Sequence, residues 1–162
     1  MPNTTSLLGK HKITSEWYTP DYVWQWIEYI FDSNRAVIFD PCPIGGTGGL
    51  ELDWTKHKLI YVNPPSPAML WAIRTISYKT RKDMCLLYLS FSESVIWQVP
   101  ELLTVPTILI RKRIKFVSNN PNQKSNPSNY NALHLINGNR EVYNRFKRIA
   151  NLTGTLIQSN II

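Results

Sequence analysis

The sequence predicts an α/β protein whose sheet is mostly parallel, with helices on both faces and an antiparallel edge. Three observations predict it. Short apolar runs alternate with helical periodicities through the first two thirds of the chain, as in strand–helix–strand units. Two of those runs stop at loops rich in Gly or Pro, where open α/β sheets place their ligands. The last strand candidates follow one another closely, which favours antiparallel pairing. The 162 residues, 43% of them hydrophobic, suffice for one compact domain over 1–162, with 1–14 as a flexible N-terminus.

Taken in order, Pro20, Val23, Trp24, Trp26, Ile27, Ile30 and Phe31 recur at helical spacing, with Thr19 as the expected N-cap and Pro20 at the first helical position. Ala36 to Phe39 reads as a buried strand that ends at Asp40-Pro41. The loop Pro43-Ile44-Gly45-Gly46-Thr47-Gly48-Gly49 follows. Leu59 to Val62 is a second buried strand, ending at Asn63-Pro64-Pro65-Ser66-Pro67, and Ala68 to Lys79 is a helix. Met84 to Leu89 is a third strand, and Ser92 to Leu103 a helix disturbed by Pro100. Thr107–Ile110, Ile114–Val117 and Ala132–Ile136 are further strands, and Arg140 to Ala150 is a basic amphipathic helix. A polar loop rich in Asn, Pro and Ser runs from Ser118 to Asn131.

Charge and composition bound the function. Eighteen Lys and Arg against eleven Asp and Glu give a net charge of +7, which draws the chain to nucleic acid or an anionic surface. No apolar stretch reaches about 18 residues, so no membrane span is expected. Met1 to Lys12 is polar, so no signal peptide is expected either, and the two cysteines, Cys42 and Cys85, fit a reducing cytoplasm. No Cys/His spacing points to a metal, and His11, His57 and His134 read as structural.

The Asn63-Pro64-Pro65 loop carries the most chemistry. The lone pair of an exocyclic base amine is delocalised into its ring, which makes it a poor nucleophile. Two acceptors that bind its N–H groups as it becomes tetrahedral lower the barrier, and no strong base is required. An Asn side-chain oxygen and the next backbone carbonyl can serve, and prolines hold that carbonyl still. Upstream, a carboxylate at Asp40 beside glycines suits a ligand amine or hydroxyl. Glu51 and Asp53 follow the loop, where an acidic residue can grip a ribose. Basic residues cluster at Lys79/Arg81/Lys82, at Arg111/Lys112/Arg113/Lys115 and at Arg140/Arg145/Lys147/Arg148. The second cluster borders the polar loop with Asn126 and Tyr130, which suits a phosphate backbone.

Glu16-Trp17-Tyr18-Thr19-Pro20, Phe39-Asp40-Pro41-Cys42, Leu52-Asp53-Trp54 and Tyr61-Val62-Asn63-Pro64-Pro65 stand in one order. With Trp71, Met84–Leu89, Arg113-Ile114-Lys115-Phe116 and Pro127-Ser128, this order resembles the phage and prophage DNA N6-adenine methyltransferase family over roughly 16–136. The resemblance implies a Rossmann-like methyltransferase fold, S-adenosylmethionine as cofactor and adenine in DNA as acceptor. By position it implies Asn63, Pro64 and Pro65 as the catalytic residues. Tyr18, Thr19, Pro20, Asp40, Pro41 and Asp53 would bind the cofactor; Ser66, Arg111, Lys112, Arg113 and Lys115 would meet the nucleic acid. At this length a second copy or a partner subunit is expected to help grip DNA.

Two departures stand out. The family motif continues after Asn-Pro-Pro with an aromatic that stacks on the extruded base; here that position is Ser66, and the spacing to Trp71 points to a deletion. Trp71, Tyr18 and Tyr61 are the nearby aromatics that could substitute, although each also has a core reading. Position 43 is Pro where the family commonly has Ala. The alternative to an enzyme is therefore a catalytically degenerate methyltransferase fold serving as a DNA-binding or partner subunit.

Overall fold

The computed structural model describes residues 17–43, 48–91, 95–125, 127 and 129–157. The expected flexible N-terminus, His11, most of the glycine loop, the start of the helix expected at Ser92, Asn126 and Ser128 lie outside the described residues. Among the described residues, seven strands are β1 (Trp17–Tyr18), β2 (Leu59–Val62), β3 (Cys85–Phe91), β4 (Thr107–Ile110), β5 (Val117–Ser118), β6 (Asn131–Ile136) and β7 (Gly154–Ile157), and four α-helices are α1 (Asp21–Phe31), α2 (Met69–Ser77), α3 (Val95–Gln98) and α4 (Arg140–Thr153).

The main sheet has the order β2-β3-β6-β4-β7, and β1 and β5 form a separate antiparallel ribbon. The expectation of a mostly parallel sheet needs correction. Only β2 and β3 pair in parallel; β3–β6, β4–β6 and β4–β7 are antiparallel. The cause is two reversed strands, β6 inside the sheet and β7 at its edge. Because β3 and β4 are both antiparallel to β6, they run the same way as each other and as β2. A single reversed strand between same-direction neighbours converts two ladders at once. The closely spaced strands 107–110 and 131–136 do pair antiparallel, but inside the sheet, and the edge belongs to β7, which the periodicity did not reveal.

Two apolar layers cover the sheet. Val23, Ile27 and Ile30 of α1 and Phe146 and Ile149 of α4 pack on Tyr61, Leu87, Leu133, Leu135 and Ile108. Trp71 and Ala72 of α2, with Val95, Val99 and Leu102, pack on Ile60, Val62, Leu86, Tyr88 and Ile136 on the other face. Strand alternation explains the division, since neighbours along a strand point to opposite faces and both faces are buried. Each such large apolar side chain contributes roughly 1.5–3 kcal/mol by leaving water. Among the described residues, no helix is long and apolar enough to cross a membrane.

Four local expectations change. Residues 35–37 form a 3-10 turn, and only Phe39 remains strand-like, bridging Ile60 in parallel. The helix expected at 92–103 is a four-residue turn, Val95–Gln98, and a 3-10 segment opening at Pro100, where the ring forbids continuation. Of 114–117 only Val117 is in a strand, because Ile114 is pulled into the core at 1% exposure. The α1 N-cap is Pro20, and no side chain caps that end.

A small polar group, His134 with Ser90 and Thr107, is buried in the core. His134 on β6 lies between Ser90 Oγ at 2.6 Å and Thr107 Oγ1 at 2.8 Å, with the Leu102 carbonyl 3.1 Å away. Burial lowers its pKa to about 4, so the ring is neutral in the folded chain near neutrality.

The β4–β7 edge leaves no room for a side chain at Gly154: an added Cβ would stand 2.0 Å from the Leu109 carbonyl oxygen. Gly154→Ala is expected to destabilise the fold by about 1–3 kcal/mol, the usual range for overpacking. Urea unfolding of the two proteins measures it, and an unchanged midpoint would contradict the tight β4–β7 contact.

Candidate functional site

Phe39 and β2 are parallel neighbours, tied by Phe39 N–H to the Leu59 carbonyl at 2.9 Å and Tyr61 N–H to the Phe39 carbonyl at 3.0 Å. Parallel neighbours end on the same side, so the loops after Phe39 and after Val62 emerge together. A cleft of about 560 Å³ opens there. Tyr18, Thr19, Pro20, Asp40 and Asn63 line it, with Trp17, Asp21, Trp24, Arg35, Cys42, Pro43 and Val117.

Asn63 is held by Thr19, whose Oγ1 accepts a hydrogen bond from Asn63 Nδ2 at 3.0 Å. The same Thr19 hydroxyl lies 3.4 Å from the buried Tyr61 hydroxyl. The expected N-cap is thus diverted from helix to site: Thr19 supports Asn63 and leaves the cap to Pro20. With Nδ2 engaged, the amide presents Oδ1 as its acceptor end.

Asp40 is partly buried, and its carboxylate accepts the Cys42 amide at 2.8 Å. Desolvation by burial raises its pKa to about 6, and the Cys42 hydrogen bond opposes the shift. The Cys42 thiol is pushed well up, chiefly by burial and then by the Asp40 charge, so it stays protonated. Arg35 Nη1 and Nη2 each reach Asp21 Oδ1 at 3.3 Å, and its guanidinium sits 4.8 Å from the Trp24 ring centroid. The cleft thus carries carboxylates at Asp21 and Asp40 and a guanidinium at Arg35.

Two other residues expected at the site, Pro41 and Asp53, are engaged elsewhere. Pro41 is buried, and its carbonyl oxygen would be only 1.9 Å from a Cβ at Gly49, so the loop closes on itself where only glycine fits. Asp53 does not line the cleft. It caps the 3-10 turn at Trp54–Lys56, accepting from Thr55 N–H at 3.1 Å and Thr55 Oγ1 at 2.6 Å. Those two bonds hold its carboxyl below the usual range. Pro64 is buried beside Asn63, while Pro65 and Ser66 are exposed.

The basic residues divide by what they touch. Arg111 Nη2 donates to the Gly154 carbonyl at 3.0 Å, and Arg113 Nη1 to the Pro127 carbonyl at 3.3 Å. Arg113 also sits 4.7 Å from the Tyr130 ring centroid, while Lys112 and Lys115 are exposed. Arg145 donates to the Ile30 carbonyl and Arg148 to Tyr29, so these two tie α4 to α1. Because β4 runs with β2, the segment starting at Arg111 leaves the sheet on the same side as Asn63.

The model of the DNA N-6-adenine-methyltransferase (Dam) family matches residues 45–153. The chain belongs to this family. No curated protein and no solved structure matches it. The family match takes in Asn63-Pro64-Pro65 and runs through α4, beyond the stretch in which the motifs stand, whereas Thr19 and Asp40 precede it. What sequence reasoning missed in this Dam-family cleft is the Asp21–Arg35–Trp24 group. Trp24 reads as core from its helical spacing, and Arg35 meets Asp21 only through the fold.

Asp40 and His134 oppose each other in acid. The unfolded chain protonates His134 below about 6.5. The stability from keeping that ring neutral is therefore complete above that pH and lost as pH falls toward 4. Asp40 has the reverse sign. Its raised pKa means the folded chain holds a proton that the unfolded chain releases, so its destabilisation grows as pH rises from about 4 to about 6. Each shift corresponds to about 3 kcal/mol, and between pH 4 and 6 the two largely cancel. Asp40→Asn is expected to lose stability more steeply than wild type as pH falls from 6 to 4.5. Urea midpoints across that window test it; parallel curves would refute the opposition.

Proposed function

We propose that the chain is an S-adenosylmethionine-dependent methyltransferase acting on the exocyclic amine of adenine in DNA. The observation that carries this reading is the single cleft in which Asp40 and Asn63, at the ends of parallel-paired segments, meet Thr19. Family membership supports the reaction class, and a β2, β3 and β4 that run one way under helices on both faces support the Rossmann-like layout.

The residues present fit the cofactor. A volume of about 560 Å³ lies in the range of small-molecule sites. S-adenosylmethionine ends in an amino-acid group, and the cleft offers Asp40 for an ammonium and Arg35 for a carboxylate, with Tyr18, Thr19 and Pro20 beside them. When bound, it supplies an electrophilic methyl group on a sulfonium.

The chain's own part is to hold the amine. Asn63 Oδ1 and the Pro64 carbonyl accept its two N–H groups. As the nitrogen becomes tetrahedral those hydrogens gain positive character, so both bonds strengthen toward the transition state. Thr19 keeps the Asn63 amide oriented, and the excess proton leaves to water. Arg111, Lys112, Arg113 and Lys115 carry the DNA backbone.

Transfer of labelled methyl to adenine-containing DNA tests the reading. Asn63→Ala is expected to lower the rate about 100-fold or more, the typical loss for one preorganised transition-state partner. Equal rates would remove Asn63, and salt-sensitive DNA binding with no transfer would indicate the degenerate subunit. Calorimetric titration with S-adenosylmethionine adds a pH test, since Asp40 must be ionised to hold an ammonium. Affinity is expected to fall as pH drops through about 6 in wild type and to be weak and pH-independent in Asp40→Asn. Arg35→Gln is expected to lose any preference over the decarboxylated cofactor.

A further inference from the structure

The geometry points to Tyr18 as the aromatic platform on which the extruded acceptor adenine stacks, in place of any group at position 66; this rests on the methyltransferase reading above. A base drawn out of a helix loses the stacking of both neighbours, and a protein ring restores part of it. Ser66, directly after Asn63-Pro64-Pro65, is exposed and offers no π-face.

Most other rings in the neighbourhood are occupied. Trp71 is buried against Trp54, with centroids 6.1 Å apart, and Phe39 is stacked on His57 at 3.8 Å. Tyr61 is fully buried with its ring edge-on to Trp24 at 4.9 Å, and Phe91 and Phe116 tilt against each other at 6.4 Å. Tyr18 differs from all of these. It is 41% exposed, so it is not the core residue that its sequence context allows. It lines the same cleft as Asn63 and directly precedes Thr19, the residue that holds the Asn63 amide.

The register of the short ribbon orients it. Tyr18 pairs with Val117, and directly opposed residues of a ladder share a face. Val117 also lines the cleft, which places the Tyr18–Val117 face toward it. Trp17, 37% exposed, also borders the cleft but is paired with Ser118, which does not. Because the ladder and not a loop sets its position, the Tyr18 backbone is fixed before the base arrives, and less ordering is needed on binding.

The test uses binding, so that it does not depend on turnover. Wild type, Tyr18→Ala, Tyr18→Phe, Trp17→Ala and the surface control Tyr22→Ala are titrated with a single-stranded oligo-dA and with an abasic oligomer of equal length. S-adenosylhomocysteine is present throughout, and its own affinity is measured by calorimetry. Wild type is expected to prefer oligo-dA by about 10-fold, as one stacked base provides. Tyr18→Ala is expected to lose that preference by a larger factor than it loses S-adenosylhomocysteine affinity, Tyr18→Phe and Tyr22→Ala to keep it, and Ser66→Tyr added to Tyr18→Ala to restore it. A preference that survives Tyr18→Ala, a loss confined to Trp17→Ala, an equal loss of S-adenosylhomocysteine binding, or no preference in wild type would each overturn the assignment. Wild type that prefers oligo-dA through Tyr18 yet transfers no methyl group would refute the enzymatic reading and leave the platform standing.

Discussion

Two backbone hydrogen bonds, from Phe39 N–H to Leu59 and from Tyr61 N–H to Phe39, decide where everything else at the cleft can be. Neighbouring strands lie about 4.8 Å apart. A parallel bridge at Phe39 therefore brings Asp40 and Asn63 to one side of the sheet although 23 positions separate them in the chain. An antiparallel bridge would have sent the two loops to opposite ends. The Asn63–Thr19 hydrogen bond then draws the start of α1 onto the same spot, and the cleft is closed from three segments.

Beyond β3, one reversed strand governs the sheet. Placing β6 between β3 and β4 lets β4 run with β2, so Arg111, at the end of β4, leaves on the side of Asn63. The same insertion makes two of the four ladders antiparallel while keeping three strands in one direction, and β7 adds a third antiparallel ladder at the edge. Counting ladders and counting directions thus describe the same sheet differently, and the directions are what position the loops.

The polar side chains illustrate how local rules yield to competing partners. Thr19 before Pro20 has the composition of a helix cap, yet its hydroxyl is worth more to a half-buried amide that would otherwise be poorly held. Asp53 has the composition of a ligand carboxylate, yet an Asx-type cap on Thr55 occupies it. Tyr18 sits among core-forming aromatics in the sequence, yet its strand is too short and too peripheral to bury it.

The α/β class, the strands at 59–62, 107–110 and 132–136, the helix at 140–150 and the Asn63 loop were legible in the sequence because each depends on local periodicity or on residue chemistry that travels with the chain. The parallel bridge at Phe39, the place of β6 inside the sheet, the edge strand β7 and the pairing of Arg35 with Asp21 were not. They are choices among partners far apart in sequence, made by which apolar faces can be buried together, and no window of neighbouring residues records that choice. The candidate chemical groups are thus a property of the sequence, whereas their meeting in one cleft is a property of the packing.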